Sequence, residues 1–290
     1  MTLQSISQVT GLNIIRIQQV HGGDINAAWC IETPGDRFFL KLNDAILYPG
    51  MFEQEAMGLE ALSTAIGSLH QHKPILVPGV VKHGVAGNTQ FLLLEWMQPG
   101  SSYGKDFWEN FGTALAAMHR LPNKYFGWDH DNYIGSLQQK NTRQENWDTF
   151  FAQYRIQPLA QKLFDGGQFS RQDLHSAETF CTRIGNLFPR EPASLLHGDL
   201  WSGNFMAAGP GLPALFDPAV YHGHREMDIG MTRLFGGFDN RFYEAYHATW
   251  PLEKGWQQRL DLTQLYPILV HAVLFGGHYI TRAREIIRKF

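Results

Sequence analysis

Cysteine is scarce in this chain: Cys30 and Cys181 are the only two among 290 residues. Two cysteines are too few for a disulfide framework, which argues against a small secreted scaffold. The first five residues have neither the basic nor the apolar region of a signal peptide. We therefore expect a protein of the reducing cytoplasm.

An excess of basic charge is also missing, because 24 Lys and Arg residues face 27 Asp and Glu residues. Nucleic-acid binding usually requires a basic face, so we expect no nucleic-acid partner. The most apolar late segment, residues 266–280, contains His271, His278 and a glycine pair. It is shorter than the roughly 20 apolar residues of a membrane span. We expect a buried helix there and no membrane partner, and the composition leaves the oligomeric state open.

The pattern of hydrophobic residues changes once along the chain. Strand signals dominate up to Met97 and predict strands over residues 26–33, 37–42, 79–82 and 90–96. After Pro99-Gly100, apolar residues recur at helical spacing, beginning with Phe107 and Phe111. We predict an α+β, bilobal, protein-kinase-like fold. Its N-terminal antiparallel-sheet lobe spans residues 1–97, and its larger, mainly helical lobe spans residues 98–290.

Two acids and an amide, Asp199, Asp217 and Asn204, lie at spacings in the sequence that suit phosphoryl transfer. The run H-G-D-L-W-S-G-N occupies residues 197–204, and F-D-P-A occupies residues 216–219. A turn before Asp199 would expose its carboxylate as acceptor of a substrate proton, and Asn204 would offer a neutral oxygen to a cation. A hairpin turning at residues 209–211 would bring Asp217 back to Asn204 as second metal ligand. The residues predict ATP and Mg²⁺ as cofactors; a structural loop with exposed acids is the alternative.

Lys41 lies within an apolar predicted strand, where a lysine either snorkels to solvent or needs a partner. The helix predicted after Gly50 has a buried stripe formed by Phe52, Ala56, Leu59, Leu62 and Ile66. Glu55 falls inside this stripe, and a buried carboxylate is costly unless it is paired. We predict that Glu55 pairs with Lys41 and that Lys41 contacts the α- and β-phosphates of a nucleotide.

Two further segments are candidates for nucleotide binding. Gly22 and Gly23 could fold over the phosphates, since glycines allow close backbone approach. The segment lacks a full G-x-G-x-x-G, and Asp24 brings negative charge, so an ordinary hairpin turn is an equal alternative. Glu95 and Met97 lie at the end of a predicted strand, where the backbone could pair with adenine or the side chains could simply pack.

Three segments resemble the fructosamine kinase family, small-molecule kinases related to aminoglycoside and choline kinases. They are H-G-D-L-W-S-G-N at residues 197–204, F-D-P-A at residues 216–219 and Y-H-G-H-R-E-M-D at residues 221–228. The resemblance implies phosphorylation of the third-carbon hydroxyl of a ketosamine, free or on a protein amine, in deglycation. It also implies that Asp228 is buried and accepts hydrogen bonds from the catalytic-loop backbone, against the alternative of a surface aspartate at a helix start. His197 is expected to hold its loop by hydrogen bonding.

The acceptor site is less clearly marked. Trp201 and Trp147 could form the walls of a sugar pocket or be core aromatics, and His271 is a third candidate. A related kinase acting on an aminoglycoside, choline or another amino alcohol is an alternative function. A non-catalytic pseudokinase is another, although Lys41 and the three motif residues are intact.

Overall fold

The computed structural model describes residues 3–20, 26–69, 75–100 and 102–290. Its N-terminal part is one antiparallel sheet in the order β1-β2-β3-β5-β4. The strands are β1 (Arg16–Val20), β2 (Ala27–Glu32), β3 (Arg37–Asp44), β4 (Val80–Ala86) and β5 (Thr89–Glu95). Helix α1 (Leu3–Thr10) packs on the sheet through Ile6, which is buried with Ile31 and Leu40. The predicted sheet is confirmed, and β3 lies at its centre.

Helix α2 (Met51–Gly67) connects β3 to β4. The predicted stripe is buried along its whole length. Phe52 and Leu59 pack on Leu92 and Leu94 of the sheet, whereas Leu62 packs in a second cluster with residues of the C-terminal part. Helix α2 therefore touches both parts of the molecule.

The C-terminal part is mainly helical, as predicted. Its helices are α3 (Phe107–His119), α4 (Trp147–Phe151), α5 (Gln157–Asp165), α6 (Arg171–Arg183), α7 (Glu226–Leu234), α8 (Asn240–Thr249), α9 (Leu260–Phe275) and α10 (His278–Lys289). Its short strands are β6 (Asn132–Ile134), β7 (Leu137–Gln139), β8 (Ser194–Leu196), β9 (Phe205–Ala208), β10 (Leu212–Leu215) and β11 (Tyr221–Gly223). A π-helical turn, Ala152–Ile156, separates α4 from α5, and a 3-10 turn, Ile184–Asn186, follows α6.

One helix prediction needs correction. Residues 266–280 do not form a single buried helix, because α9 ends at Phe275 and α10 begins at His278. Gly276 and Gly277 adopt φ values of 66° and 62°, with ψ near −140°, a conformation that essentially only glycine adopts. The glycine pair therefore breaks the helix. No helix within the described ranges has both the length and the apolar character to cross a membrane. The lobe boundary after residue 97 stays a prediction.

Candidate active site

Lys41 is buried in the central strand and bonds to two carboxylates. Its Nζ lies 2.8 and 3.0 Å from the two carboxylate oxygens of Glu55 and 2.8 Å from Oδ1 of Asp217. Burial alone would lower the pKa of Lys41, but Asp217 and Glu55 outweigh it and raise that pKa above its ordinary value. The structure therefore brings together a charged lysine from β3, a glutamate from α2 and an aspartate from the C-terminal part.

Asp217 has an unusual backbone conformation that its neighbours hold in place. With φ of 54°, it is the one non-glycine residue with positive φ in the described part of the chain. Left-handed backbone is uncommon outside glycine, although aspartate and asparagine tolerate it best. Strands β9 and β10 pair Leu215 with Phe205, and the next step brings the Phe216 N–H to 3.2 Å from the Asn204 carbonyl oxygen. The hairpin thus places Asp217 and Asn204 at the same end, as predicted.

Asp199 and Asn204 are joined directly. The side-chain amide of Asn204 donates to the backbone oxygen of Asp199 at 2.8 Å and to its Oδ2 at 3.0 Å. Burial raises the pKa of Asp199 to about 7, with Asn204 opposing the shift and Asp217 and Asp228 adding to it. Because the amide nitrogen faces Asp199, Oδ1 is the atom of Asn204 that could bind a cation.

The turn before Asp199 depends on Gly198. This residue has φ of 82°, and a side-chain carbon there would lie 2.0 Å from the Ala219 carbonyl oxygen. Only glycine fits such close backbone contact at positive φ. The turn predicted from the H-G-D motif is therefore present, and it packs directly against the segment that follows Asp217.

Asp228 supports the candidate catalytic loop, residues 197–204 (hereafter the catalytic loop). Its carboxylate accepts from the backbone N–H groups of His197 at 2.8 Å and Gly198 at 3.0 Å. It is 1% exposed, so the alternative of a surface aspartate is wrong. The sequence reasoning missed two residues that complete this arrangement: Nε2 of His119 contacts Asp228 at 3.2 Å, and Nδ1 of His119 contacts the Tyr246 hydroxyl at 2.8 Å. The only sign of His119 in the sequence is that a polar residue stands at the end of α3, and the structure shows this end to be buried.

His197 supports the catalytic loop through hydrogen bonds at both of its ring nitrogens. Its Nδ1 accepts from the Asp199 N–H at 3.3 Å, which leaves the proton on Nε2 to donate to the Phe216 carbonyl at 3.0 Å. Burial lowers the pKa of His197, with nearby Asp228 opposing the shift. A buried imidazole with both nitrogens engaged in this way has the structural role that was expected.

The structure describes only some of the residues that were predicted to contact a nucleotide. Gly22 and Gly23 lie outside the described residues. Glu95 is exposed at the end of β5, where its carboxylate accepts from the Gly79 N–H at 3.2 Å. Met97 follows it and is half-buried. Just beyond, the Gln98 carbonyl accepts from the Gly209 N–H at 2.9 Å, so the segment that follows β5 lies against the β9–β10 hairpin. A role of Glu95 and Met97 in adenine binding stays a prediction.

Two of the three acceptor candidates are connected through an aromatic row. Trp201 is 36% exposed, and its ring packs edge-on against Phe235 with 5.7 Å between centroids. Phe235 in turn lies 5.2 Å from the ring of His271. Burial lowers the pKa of His271, whose Nδ1 contacts the Pro267 carbonyl at 2.7 Å. The row leads from the catalytic loop onto α9.

Trp147 requires a correction. It is 7% exposed and stacks on Phe151 with 4.9 Å between centroids, in a buried cluster that also contains Phe150 and Phe188. The rings around it belong to α4, to Phe126, to Phe188 and to His224, and none belongs to residues 197–204. Its apolar surroundings make it a core residue, the second of the two interpretations from the sequence.

The donor atoms near Asp217 suit magnesium. Across the ranges the structure describes, no group of three or more His, Cys, Asp or Glu side chains could hold a metal by itself. Mg²⁺ is usually bound by one or two carboxylates together with the substrate's phosphates, so a larger cage is not needed. The partly exposed carboxylate of Asp217 and Oδ1 of Asn204 are oxygen donors of the required kind.

The chain is similar to several known proteins. A model of the fructosamine kinase family matches residues 1–290. A "probable ketoamine kinase" of Synechocystis sp. is 39% identical over 99% of this chain and 94% of that protein. The chloroplastic protein-ribulosamine 3-kinase of Arabidopsis thaliana is 36% identical over 94% of this chain and 82% of its own length. A crystal structure of a "putative fructosamine-3-kinase" from Haemophilus somnus superposes with a TM-score of 0.86 at 27% identity, covering 98% of this chain and 96% of that one.

Proposed function

The chain belongs to the fructosamine kinase family, and on that basis we propose that it phosphorylates the 3-hydroxyl of ketosamines with ATP and Mg²⁺. The acceptors are ribulosamine or fructosamine, free or carried on protein amines. One observation carries the proposal: Lys41 bonds at once to Glu55 and to Asp217, so a phosphate-binding cation and a metal-binding carboxylate are adjacent. The names of the relatives, ketoamine kinase and protein-ribulosamine 3-kinase, support the acceptor class.

Each residue has a separate task in this reaction. Lys41 binds the α- and β-phosphates, and Glu55 holds its ammonium beside Asp217. Asp217 and Asn204 would hold Mg²⁺, which neutralises charge on the β- and γ-phosphates when bound. Asp228 fixes the loop that carries Asp199.

Asp199 removes the proton during transfer. The 3-hydroxyl oxygen of the acceptor forms a bond to the γ-phosphorus, the bond to the β,γ-bridging oxygen breaks, and ADP leaves. The hydroxyl proton passes to the Asp199 carboxylate. A base whose pKa lies close to working pH is well matched to this step, and the pKa of Asp199 is about 7.

A direct assay tests the proposal. Purified protein is given ATP and Mg²⁺ with ribulosamine, fructosamine, an aminoglycoside or choline, and ADP release and the phosphorylated product are measured. We expect turnover with a ketosamine and a phosphate on its third carbon. Preference for choline or an aminoglycoside would overturn the acceptor assignment. ATP binding without turnover on any acceptor would indicate a pseudokinase.

Trp201→Ala should raise the KM for a ketosamine by roughly 5–30-fold, since aromatic packing with desolvation is worth about 1–2 kcal/mol. The KM for ATP should change little. Trp147→Phe is the matched control, because it alters a core tryptophan of the same part of the molecule and should lower the melting temperature without changing either KM. An equal loss of affinity for ATP and ketosamine would instead make Trp201 structural.

Glu55→Gln should raise the KM for ATP by about 10-fold or more, because it removes the negative charge and one of the two acceptors of Lys41, and a hydrogen bond to a charged group is worth roughly 1.5–3 kcal/mol. Without this carboxylate, Asp217 is the remaining charged partner of Lys41 and draws it away from the phosphates. Glu53→Gln is the control: Glu53 is exposed on the same helix two residues earlier. Identical KM values for the two variants would contradict the role of the pair.

A further inference from the structure

The carbonyl groups of the segment after Asp217 are bound by side chains rather than by regular backbone pairing. Pro218 has no N–H, and Asp217 is left-handed, so the chain cannot continue as a strand there. The carbonyl of Ala219 accepts from Nε2 of Gln139 at 3.2 Å, and the carbonyl of Val220 accepts from Nδ2 of Asn132 at 2.8 Å. Both bonds are buried, so two side-chain amides satisfy this stretch of backbone.

The two amides belong to one hairpin and fix each other's orientation. Asn132 and Gln139 are opposite residues in the β6–β7 pair, and each is at most 5% exposed. Nε2 of Gln139 also donates to Oδ1 of Asn132 at 2.8 Å. The Tyr266 hydroxyl donates to Oε1 of Gln139 at 2.7 Å. With their oxygens already accepting these bonds, both amides direct their N–H groups at the carbonyls of Ala219 and Val220.

A buried cation anchors the far end of this network. Asn141 donates to Oδ1 of Asn132 at 2.8 Å and accepts from Nη2 of Arg155 at 2.6 Å. Arg155 is fully buried, and its guanidinium carbon lies 4.2 Å from the ring of Tyr221. Its Nη1 and Nη2 groups are hydrogen-bonded, and a guanidinium held in this way against aromatic faces is rigid. The hairpin therefore has little freedom to move relative to the core.

The same segment is packed from two other directions. Gly58 of α2 faces it so closely that a side-chain carbon there would lie 3.1 Å from Val220 Cγ2. On another side, Ala219 donates its N–H to the His197 carbonyl at 2.9 Å. The segment is thus enclosed by the helix that carries Glu55, by the catalytic loop and by the β6–β7 hairpin.

We propose that Asn132 and Gln139 are positioning residues for phosphoryl transfer. They act through the carbonyls of Ala219 and Val220 and set the place of the Asp217 carboxylate relative to Lys41 and Asp199. The inference rests on the proposed function, since it assumes that Asp217 binds Mg²⁺. Groups that hydrogen-bond a metal ligand directly change metal affinity and activity by about 10–100-fold in other proteins, and Asn132 and Gln139 act on the backbone just after such a ligand.

A matched pair of tyrosine variants tests this role. Tyr266→Phe removes the bond that orients Gln139, whereas Tyr243→Phe removes an equally buried bond to Thr232, 3.0 Å long, in a network that does not reach Ala219 or Val220. We expect Tyr266→Phe to lower kcat and to raise the half-saturating Mg²⁺ concentration by about 3–10-fold each, below the full effect of losing the network. The KM for the ketosamine should stay as in wild type, and Tyr243→Phe should change none of these values.

Gln139→Met is the stronger variant and should cost about 10–100-fold in kcat and in MgATP affinity measured by calorimetry. If it does not fold, Tyr266→Phe decides. Lower melting temperatures with unchanged kcat and Mg²⁺ dependence would overturn the inference and leave the amides purely structural. If wild type phosphorylates no ketosamine, the proposed function fails, yet MgATP calorimetry on the same variants still tests the positioning role.

Discussion

Asp199→Asn is expected to reduce kcat by about 10²–10⁴-fold, the usual contribution of a general base. Asparagine keeps the shape of the side chain and can still accept the hydrogen bond from Asn204, but it cannot take a proton. Lys41, Glu55 and Asp217 are untouched, so MgATP affinity should stay close to that of wild type. Steady-state kinetics and calorimetry measure the two quantities separately. More than about a tenth of wild-type activity on the true acceptor would remove Asp199 from the role of base.

The same variant should be more stable than wild type at neutral pH when metal is absent. Burial raises the pKa of Asp199 from 3.8 to about 7. Between these values the folded state binds more protons than the unfolded state, so this group's contribution to stability falls as pH rises. The asparagine variant avoids that cost. Its melting temperature should exceed that of wild type at pH 8, and the difference should shrink towards pH 4. A variant that is inactive yet more stable cannot owe its inactivity to unfolding.

The pairing of Lys41 with Glu55 could be predicted because each residue violates a local pattern. A lysine in an apolar strand and a glutamate in the buried stripe of a helix each need an opposite charge. Lys41 and Glu55 are 14 positions apart, which leaves room for the short loop that joins their strand and helix. Asp199, Asn204 and Asp217 were also identifiable, since short turns and a hairpin link them. Local spacing therefore predicted the Lys41–Glu55 pair and the hairpin, but not the bond of Lys41 to Asp217 or the bonds of Asn204 to Asp199.

The supporting residues could not be found in this way. His119 meets Asp228 across 109 positions, and Gln139 meets Ala219 across 80. Nothing in the sequence near His119 or Gln139 indicates a distant carboxylate or an unpaired carbonyl, because these contacts exist only once the helices and the hairpin have packed. Trp147 was ambiguous for a similar reason: an aromatic side chain in a helix suits a core and a sugar pocket equally.

Asp217→Asn should weaken MgATP binding by about 100-fold or more. Loss of a group that only hydrogen-bonds a metal ligand already costs up to about 100-fold in metal affinity, and Asp217 is proposed to be a ligand itself. Asparagine is the informative substitution, because it tolerates the φ of 54° that alanine would adopt only with strain. The variant therefore removes the charge without disturbing the backbone. Lys41 keeps Glu55 as its partner, so the surroundings of Lys41 should remain folded.

Calorimetry with and without Mg²⁺ separates the metal from the nucleotide. Wild type should bind ATP more tightly when Mg²⁺ is present, whereas in Asp217→Asn this advantage should be lost. Asp239→Asn is a suitable control, since Asp239 is a partly exposed aspartate that caps α8 and contacts Arg241. It should keep the full effect of Mg²⁺. A carboxylate that carries the main negative charge on Mg²⁺ cannot be neutralised without a loss of Mg²⁺-dependent ATP affinity. If Asp217→Asn keeps the full effect of Mg²⁺, Asp217 therefore does not bind the metal and its contact with Lys41 is structural.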